Sequence, residues 1–215
     1  MTEMTAADKR WRPVRDQQRA AVVEAVLTLV SRGDAVTVAD LSDLAGMSRP
    51  TFYKYFPTLG AALLHTHQVL LAGLEASIAE RMPSTSEPAA DRLLASFGLS
   101  FDFTRSHKSV LRFFSYFDFT FRRYGLTDGE KQEHARIVAE SGDHTRDLFL
   151  EGQADGSIDP NIPVEQTIMA LSGSLVGLSQ RLLIQDEYSE SDDDAKAKAA
   201  YQLAIDAWRQ HLSPK

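Results

Sequence analysis

The segment from Thr37 to Phe56, TVADLSDLAGMSRPTFYKYF, constrains this chain more than any other. It reads as two short helices joined by a tight turn. Thr37 offers a side-chain oxygen to a free backbone N–H at the start of the first helix, and Leu41, Leu44 and Ala45 fall on one face. Gly46 suits the left-handed residue that ends a helix, and Met47 plugs the angle between the two. Ser48 is a second N-cap. It is followed by Arg49, Pro50, Thr51, Tyr53, Lys54 and Tyr55, with Phe52 turned inward. A helix start that aims Ser, Thr, Tyr and Lys outward suits a phosphate backbone and a major groove.

The run Ser48-x-x-Thr51-Phe52-Tyr53-x-Tyr55-Phe56, preceded by Gly46 and Met47, resembles the DNA-binding motif of the TetR family of transcriptional regulators. With the preceding helix, the resemblance covers roughly residues 15–75. It implies an all-α fold of about nine helices: an N-terminal three-helix, helix-turn-helix DNA-binding domain and a C-terminal helical domain for ligand binding and dimerisation. On this reading residues 1–14 are a flexible basic arm, 15–60 the DNA-binding domain with its motif at 37–56, and 61–215 the effector-binding and dimerisation domain.

Within the motif, Arg49, Pro50, Thr51 and Tyr53 are expected to face bases or the groove wall. Thr37, Ser48, Tyr53, Lys54 and Tyr55 are expected to meet the sugar–phosphate backbone, which positions the helix without reading sequence. Arg49 suits a guanine edge, and Pro50 or the Thr51 methyl suits a thymine methyl. The chain departs from the family pattern just after Phe56. Where members often open the fourth helix with Lys-Glu, this sequence has Pro57-Thr58-Leu59-Gly60 and no positive charge. Thr58 and the N–H groups of the helix start are left to meet a phosphate there, and Lys54 carries more of the electrostatic load.

A net charge of −7 is unusual for a DNA binder, but it is unevenly spread. Residues 1–57 hold eight Lys/Arg and seven Asp/Glu, and the remainder holds 15 and 23. Lys9, Arg10, Arg12, Arg15 and Arg19 cluster in or just before the first helix, as a basic arm reaching a neighbouring groove would require. The length and the 43% hydrophobic content allow a sizeable core. With no cysteine, disulfides and thiolate metal sites are excluded. No secretory signal is visible, and no apolar run is expected to reach the ~20 residues that cross a bilayer. A cytoplasmic location and no membrane partner follow.

Periodicity predicts helices at about 16–31, from near Thr58 to about Arg81, and at about 192–212. Leu63, Leu64, Leu70, Leu71, Leu74 and Ile78 give the second of these its apolar side. Pro83 to Pro88 reads as a linker without function. Residues 89–125 are rich in aromatics, with Phe113, Phe117 and Phe121 spaced to share one helical face. Interleaved polar residues make this region the expected ligand pocket, with Phe101, Asp102, His107, Arg112, Phe113, Phe114, Phe117 and Phe121 as its candidate lining. The bland alternative is that these rings simply pack a core. No cofactor or metal is expected: His134 and His144 lie ten residues apart, about 15 Å along one helix. Glu130–His134 and Glu140–His144 read as solvated surface pairs.

After Pro160–Pro163, the residues Val164, Ile168, Leu171, Leu175, Leu178 and Leu182 follow a heptad. Ile168, Leu171, Leu175, Leu178 and Leu182, with Leu203, Ala207 and Trp208 of the last helix, are the expected homodimer interface, a four-helix arrangement. The function expected is a ligand-responsive homodimeric DNA-binding regulator, a repressor released from a near-palindromic operator by a small apolar or aromatic effector. The alternatives are a helical dimerising module without DNA binding, and an enzyme using the aromatic pocket. Against the enzyme, the sequence has no Gly-x-Ser-x-Gly elbow, phosphate-cradling loop or His-Glu-x-x-His.

Overall fold

Pro and Gly punctuate apolar stretches of helical period throughout the sequence, and every regular element among the described residues is a helix. The computed structural model describes the backbone of residues 6–121, 125–188 and 194–215, and the side chains of 15–119, 125–184 and 194–215. Nine α-helices lie in this part. They are α1 (Ala6–Arg32), α2 (Val38–Leu44), α3 (Arg49–Tyr55), α4 (Leu59–Arg81), α5 (Ala89–Ser106), α6 (Lys108–Tyr116), α7 (Asp128–Asp155), α8 (Val164–Tyr188) and α9 (Asp194–Leu212). A π-helical turn, Phe117–Phe121, continues α6.

Helix α1 begins at Ala6, ten residues before the periodicity places it. The added stretch is rich in Ala, Lys and Arg, which favour helix even without an apolar face. Residues 6–14 are thus helical backbone, while the side chains of Lys9, Arg10 and Arg12 lie outside the described residues.

The chain divides into two units: Met1–Leu70 with Arg112–His134, and Leu71–Leu111 with Ala135–Lys215. In the first, α1 buries Val22, Val23, Val26 and Leu29 and packs on α2, whose Leu41 is fully covered, and α2 packs on α3. Leu44, expected on the same buried face, is 45% exposed. In the second unit α5, α8 and α9 pack on one another. Their core holds Leu93, Leu94, Phe149, Leu171, Leu175 and Ile205, and Phe101 stacks on Tyr201 with ring centroids 4.0 Å apart.

Part of the α8 heptad packs into this core. Leu171 and Leu175 are fully buried and Leu182 nearly so, while Ile168, Leu178 and Trp208 pack partly buried against the same cluster. Trp208 also donates its indole N–H to Ser174 Oγ at 2.9 Å. A regular apolar spacing says that a seam is filled, not which chain fills it. The other face of α8 carries exposed Met169 and Ile184, with Gly173 and Gly177 between them, and α9 carries exposed Leu203 and Ala207.

One expectation is overturned by the same helix. Val164–Ile184 is long and apolar enough, by length and composition, to cross a bilayer. Glycines and serines between its larger apolar residues mask this on inspection. Within it Leu171, Leu175, Leu182 and Leu183 are buried, and 33% of the apolar window is buried in all.

Candidate functional site

Two N-caps set the helix-turn-helix. Thr37 Oγ1 accepts the backbone N–H of Asp40 at 3.2 Å and donates to Asp40 Oδ2 at 2.6 Å. Gly46 adopts φ +65°, which only glycine takes without strain, and the following N–H of Met47 returns to Ser42 O at 2.9 Å. Ser48 Oγ accepts the N–H of Thr51 at 3.3 Å, and the two hydroxyls lie 2.9 Å apart. Pro50 occupies the first turn of α3, where it forfeits no intrahelical hydrogen bond.

Phe52 and Phe56 are buried with ring centroids 5.5 Å apart, and the Arg19 guanidinium lies 5.4 Å over the Phe56 ring. These anchors leave one surface of α3 open: Arg49, Pro50, Tyr53 and Lys54 are exposed, with Ser48 beside them and Thr37 exposed at the start of α2. Thr51 and Tyr55 are half-buried.

Thr58 is placed differently from the expectation. It caps α4, accepting the Ala61 N–H at 2.9 Å, and donates its hydroxyl to the Glu130 carboxylate. Glu130 also accepts the backbone N–H and the hydroxyl of Thr127, each at 2.8 Å, closing a capping box at the start of α7. The hydroxyl assigned to a phosphate is therefore engaged within the unit. Glu130 is likewise not the surface partner of His134 that their spacing suggests.

Seven of the eight expected ligand residues have described side chains. Arg112, Phe113, Phe114 and Phe117 belong to the first unit, and Phe101, Asp102 and His107 to the second. The side chain of Phe121 lies outside the described residues. Phe113 and Phe117 are fully buried beside His67, whose ring centroid lies 5.0 Å from that of Phe117 and 5.2 Å from that of His134. Burial, and then the neighbouring His134, lower the His67 pKa to about 4. His107 is exposed, with Nδ1 2.9 Å from Phe103 O. Phe113, Phe117 and Phe121 would share one face of an unbroken α-helix, and the π-turn from Phe117 changes that register. Among the described residues, no three His, Asp or Glu side chains gather as metal ligands would.

The second unit holds a cavity of about 590 Å³ elsewhere, lined by residues of α4, α5, α7 and α8. Leu71, Leu74, Ile78, Met82, Phe97 and Val176 form its apolar wall, and Glu75, Arg92, Glu140 and His144 are its ionisable groups. Pro83 and Thr85, from the stretch expected to be a featureless linker, also border it. The signal in the sequence was the apolar stripe of α4, which continues through Leu71, Leu74 and Ile78 yet leaves all three only half-buried. Size and lining are those of a small-molecule site.

Solved structures of similar fold extend over nearly the whole chain. A TetR-family transcriptional regulator from Rhodococcus sp. superposes with a TM-score of 0.69, at 22% identity, covering 90% of this chain and 99% of that one. In fold, the chain is similar to TetR-family regulators. The transcriptional regulator FadR of Bacillus subtilis, solved with stearoyl-CoA, is another structure of similar fold, with a TM-score of 0.63 at 16% identity, covering 88% of this chain and 96% of that one. In sequence, the HTH-type transcriptional regulator EthR of Mycolicibacterium smegmatis is 34% identical over 107 residues. That match spans 47% of this chain and 48% of EthR, about half the length of the relative. No family model matches the chain. All three of these proteins are described as transcriptional regulators.

Proposed function

We propose that the chain is a DNA-binding transcriptional regulator that acts as a homodimer in the cytoplasm, represses, and is released from a near-palindromic operator by a small effector held in the 590 Å³ cavity. The observation that carries this reading is the exposed surface of α3. Arg49, Pro50, Tyr53 and Lys54 stand outward on a helix fixed by the Ser48 cap and by buried Phe52 and Phe56. Two copies of α3, about 34 Å apart, would enter successive major grooves. Arg49 and Pro50 would meet base edges, while Lys54, Tyr53, Ser48 and Thr37 would hold phosphates. The dimer contact falls on the faces of α8 and α9 that the chain leaves uncovered: Met169, Gly173, Gly177 and Ile184 with Leu203 and Ala207. Small residues between large ones let two helices approach closely.

An effector shifts the protein off DNA only if it binds the released arrangement more tightly, typically by about 1–3 kcal/mol. The test is fluorescence anisotropy of the full chain on DNA from upstream of its own gene and on random DNA, at two salt concentrations. Selective binding that weakens with salt supports the reading. Equal, feeble binding to both, with failure of a random-sequence selection, would overturn it.

A further inference from the structure

One donor in the cavity wall is buried without an acceptor. The Arg92 side chain is 11% exposed, and its Nη1 meets Glu151 Oε1 at 2.6 Å. Its Nε has no hydrogen-bond partner among the described residues. Buried polar groups are rarely left so, and an orphan on a cavity-lining residue marks where a bound molecule can supply the missing acceptor.

The charge around it narrows the class. Glu151 already matches the guanidinium, and the Asp155 carboxylate also feels its charge. Two further carboxylates, Glu75 and Glu140, line the cavity, and Glu140 is ion-paired with Arg136. An anionic head would gain no unmatched cation and would face Glu75. A cation could meet Glu75 but has no lone pair for the Arg92 Nε–H, which it would leave unsatisfied. Among the lining hydroxyls, Ser96 is committed to the backbone, donating to Leu93 O at 2.7 Å.

We infer that the effector is an uncharged, mainly apolar molecule with a carbonyl-type acceptor, which the Arg92 Nε–H engages while the chain or ring lies along Leu74, Ile78 and Phe97. This rests on the reading of the cavity as the effector site.

Three twelve-carbon probes separate the possibilities by calorimetric titration of the full chain: dodecan-2-one, dodecanoate and dodecylammonium. The ketone is expected to bind at least about tenfold more tightly than either ion. Arg92→Lys, which keeps a cation for Glu151 and removes the Nε–H, should lose about tenfold in ketone affinity. Ala79→Trp, which fills the cavity from α4, should abolish binding of all three. Tightest binding by dodecanoate or dodecylammonium, no binding by any probe, or a folded Arg92→Lys with unchanged ketone affinity would each overturn the inference. The ranking on the unaltered chain stands even if Arg92→Lys fails to fold. The titration involves no DNA, so its failure beside intact operator binding removes the ligand class alone; loss of operator selectivity removes the regulator reading.

Discussion

Glu130 occupies the space that a side chain on residue 60 would need: a methyl group at Gly60 would lie 2.6 Å from Glu130 Oε2. Two capping systems meet there, since the carboxylate takes Thr58 at the start of α4 and Thr127 at the start of α7. Negative charge at a helix N-terminus is favourable. Gly60→Ala must push the carboxylate aside, so it should cost roughly 1–2 kcal/mol, mainly through the lost Thr58 and Thr127 bonds. Glu130→Ala should cost a similar amount, and the double variant less than the sum. Urea unfolding of the three variants measures this, and strict additivity would show that Gly60 is not there to seat the carboxylate. Burial alone would raise the Glu130 pKa, but hydrogen bonds from Thr58 and Thr127 outweigh it and hold the group below its ordinary value. The stability it adds is therefore present above about pH 4.3 and lost as pH falls through the lower folded value.

A different acid sensitivity belongs to His67. Its pKa is lowered from 6.5 to about 4, first by burial and then by His134. The unfolded chain takes up this proton as pH falls below 6.5, whereas the folded chain resists until about 4. Stability should fall across that window, by roughly 3 kcal/mol for this residue when fully expressed. His67→Leu removes the titrating ring at similar volume. Its urea midpoint should vary less between pH 7 and pH 5 than that of the parent, and an equal pH dependence would place the proton uptake elsewhere.

On the α3 surface, Lys54 and Arg49 should separate cleanly. Lys54→Ala should weaken binding to all DNA sequences alike and reduce the slope of log affinity against log salt by about one. Arg49→Ala should cost about 1–3 kcal/mol on the operator and relax preference at one base position. Anisotropy on operator and random duplexes at several salt concentrations reads both effects. A salt slope unchanged by Lys54→Ala would mean that its ammonium meets no phosphate.

The helix-turn-helix was legible because its signals are local. Thr37, Gly46 and Ser48 each act on backbone within a few residues, and Phe52 and Phe56 are buried as their spacing requires. The cavity was not legible, because its wall joins Leu71, Arg92, Glu140 and Val176 across more than a hundred residues of sequence. The aromatic cluster drew attention instead, and much of it proved to be packing around Phe113 and Phe117. Thr58 misled for the same reason: its partner, Glu130, lies 72 residues away.

The heptad of α8 leads to the remaining prediction, because its two faces call for opposite outcomes. Leu175 is fully buried in the chain's own core, so Leu175→Ala should lower the stability of each protomer by about 2–5 kcal/mol. Met169 and Leu203 are 72% and 71% exposed, so Met169→Glu with Leu203→Glu disturbs little packing within the chain. If these side chains meet a second copy, the double variant should sediment as a folded monomer at concentrations where the parent is a dimer. It should also bind the full operator much more weakly, since losing one of two tethered reading heads forfeits the effective concentration that the first supplies. A dimer that survives both glutamates would move the interface to another surface, leaving α8 and α9 as core helices alone.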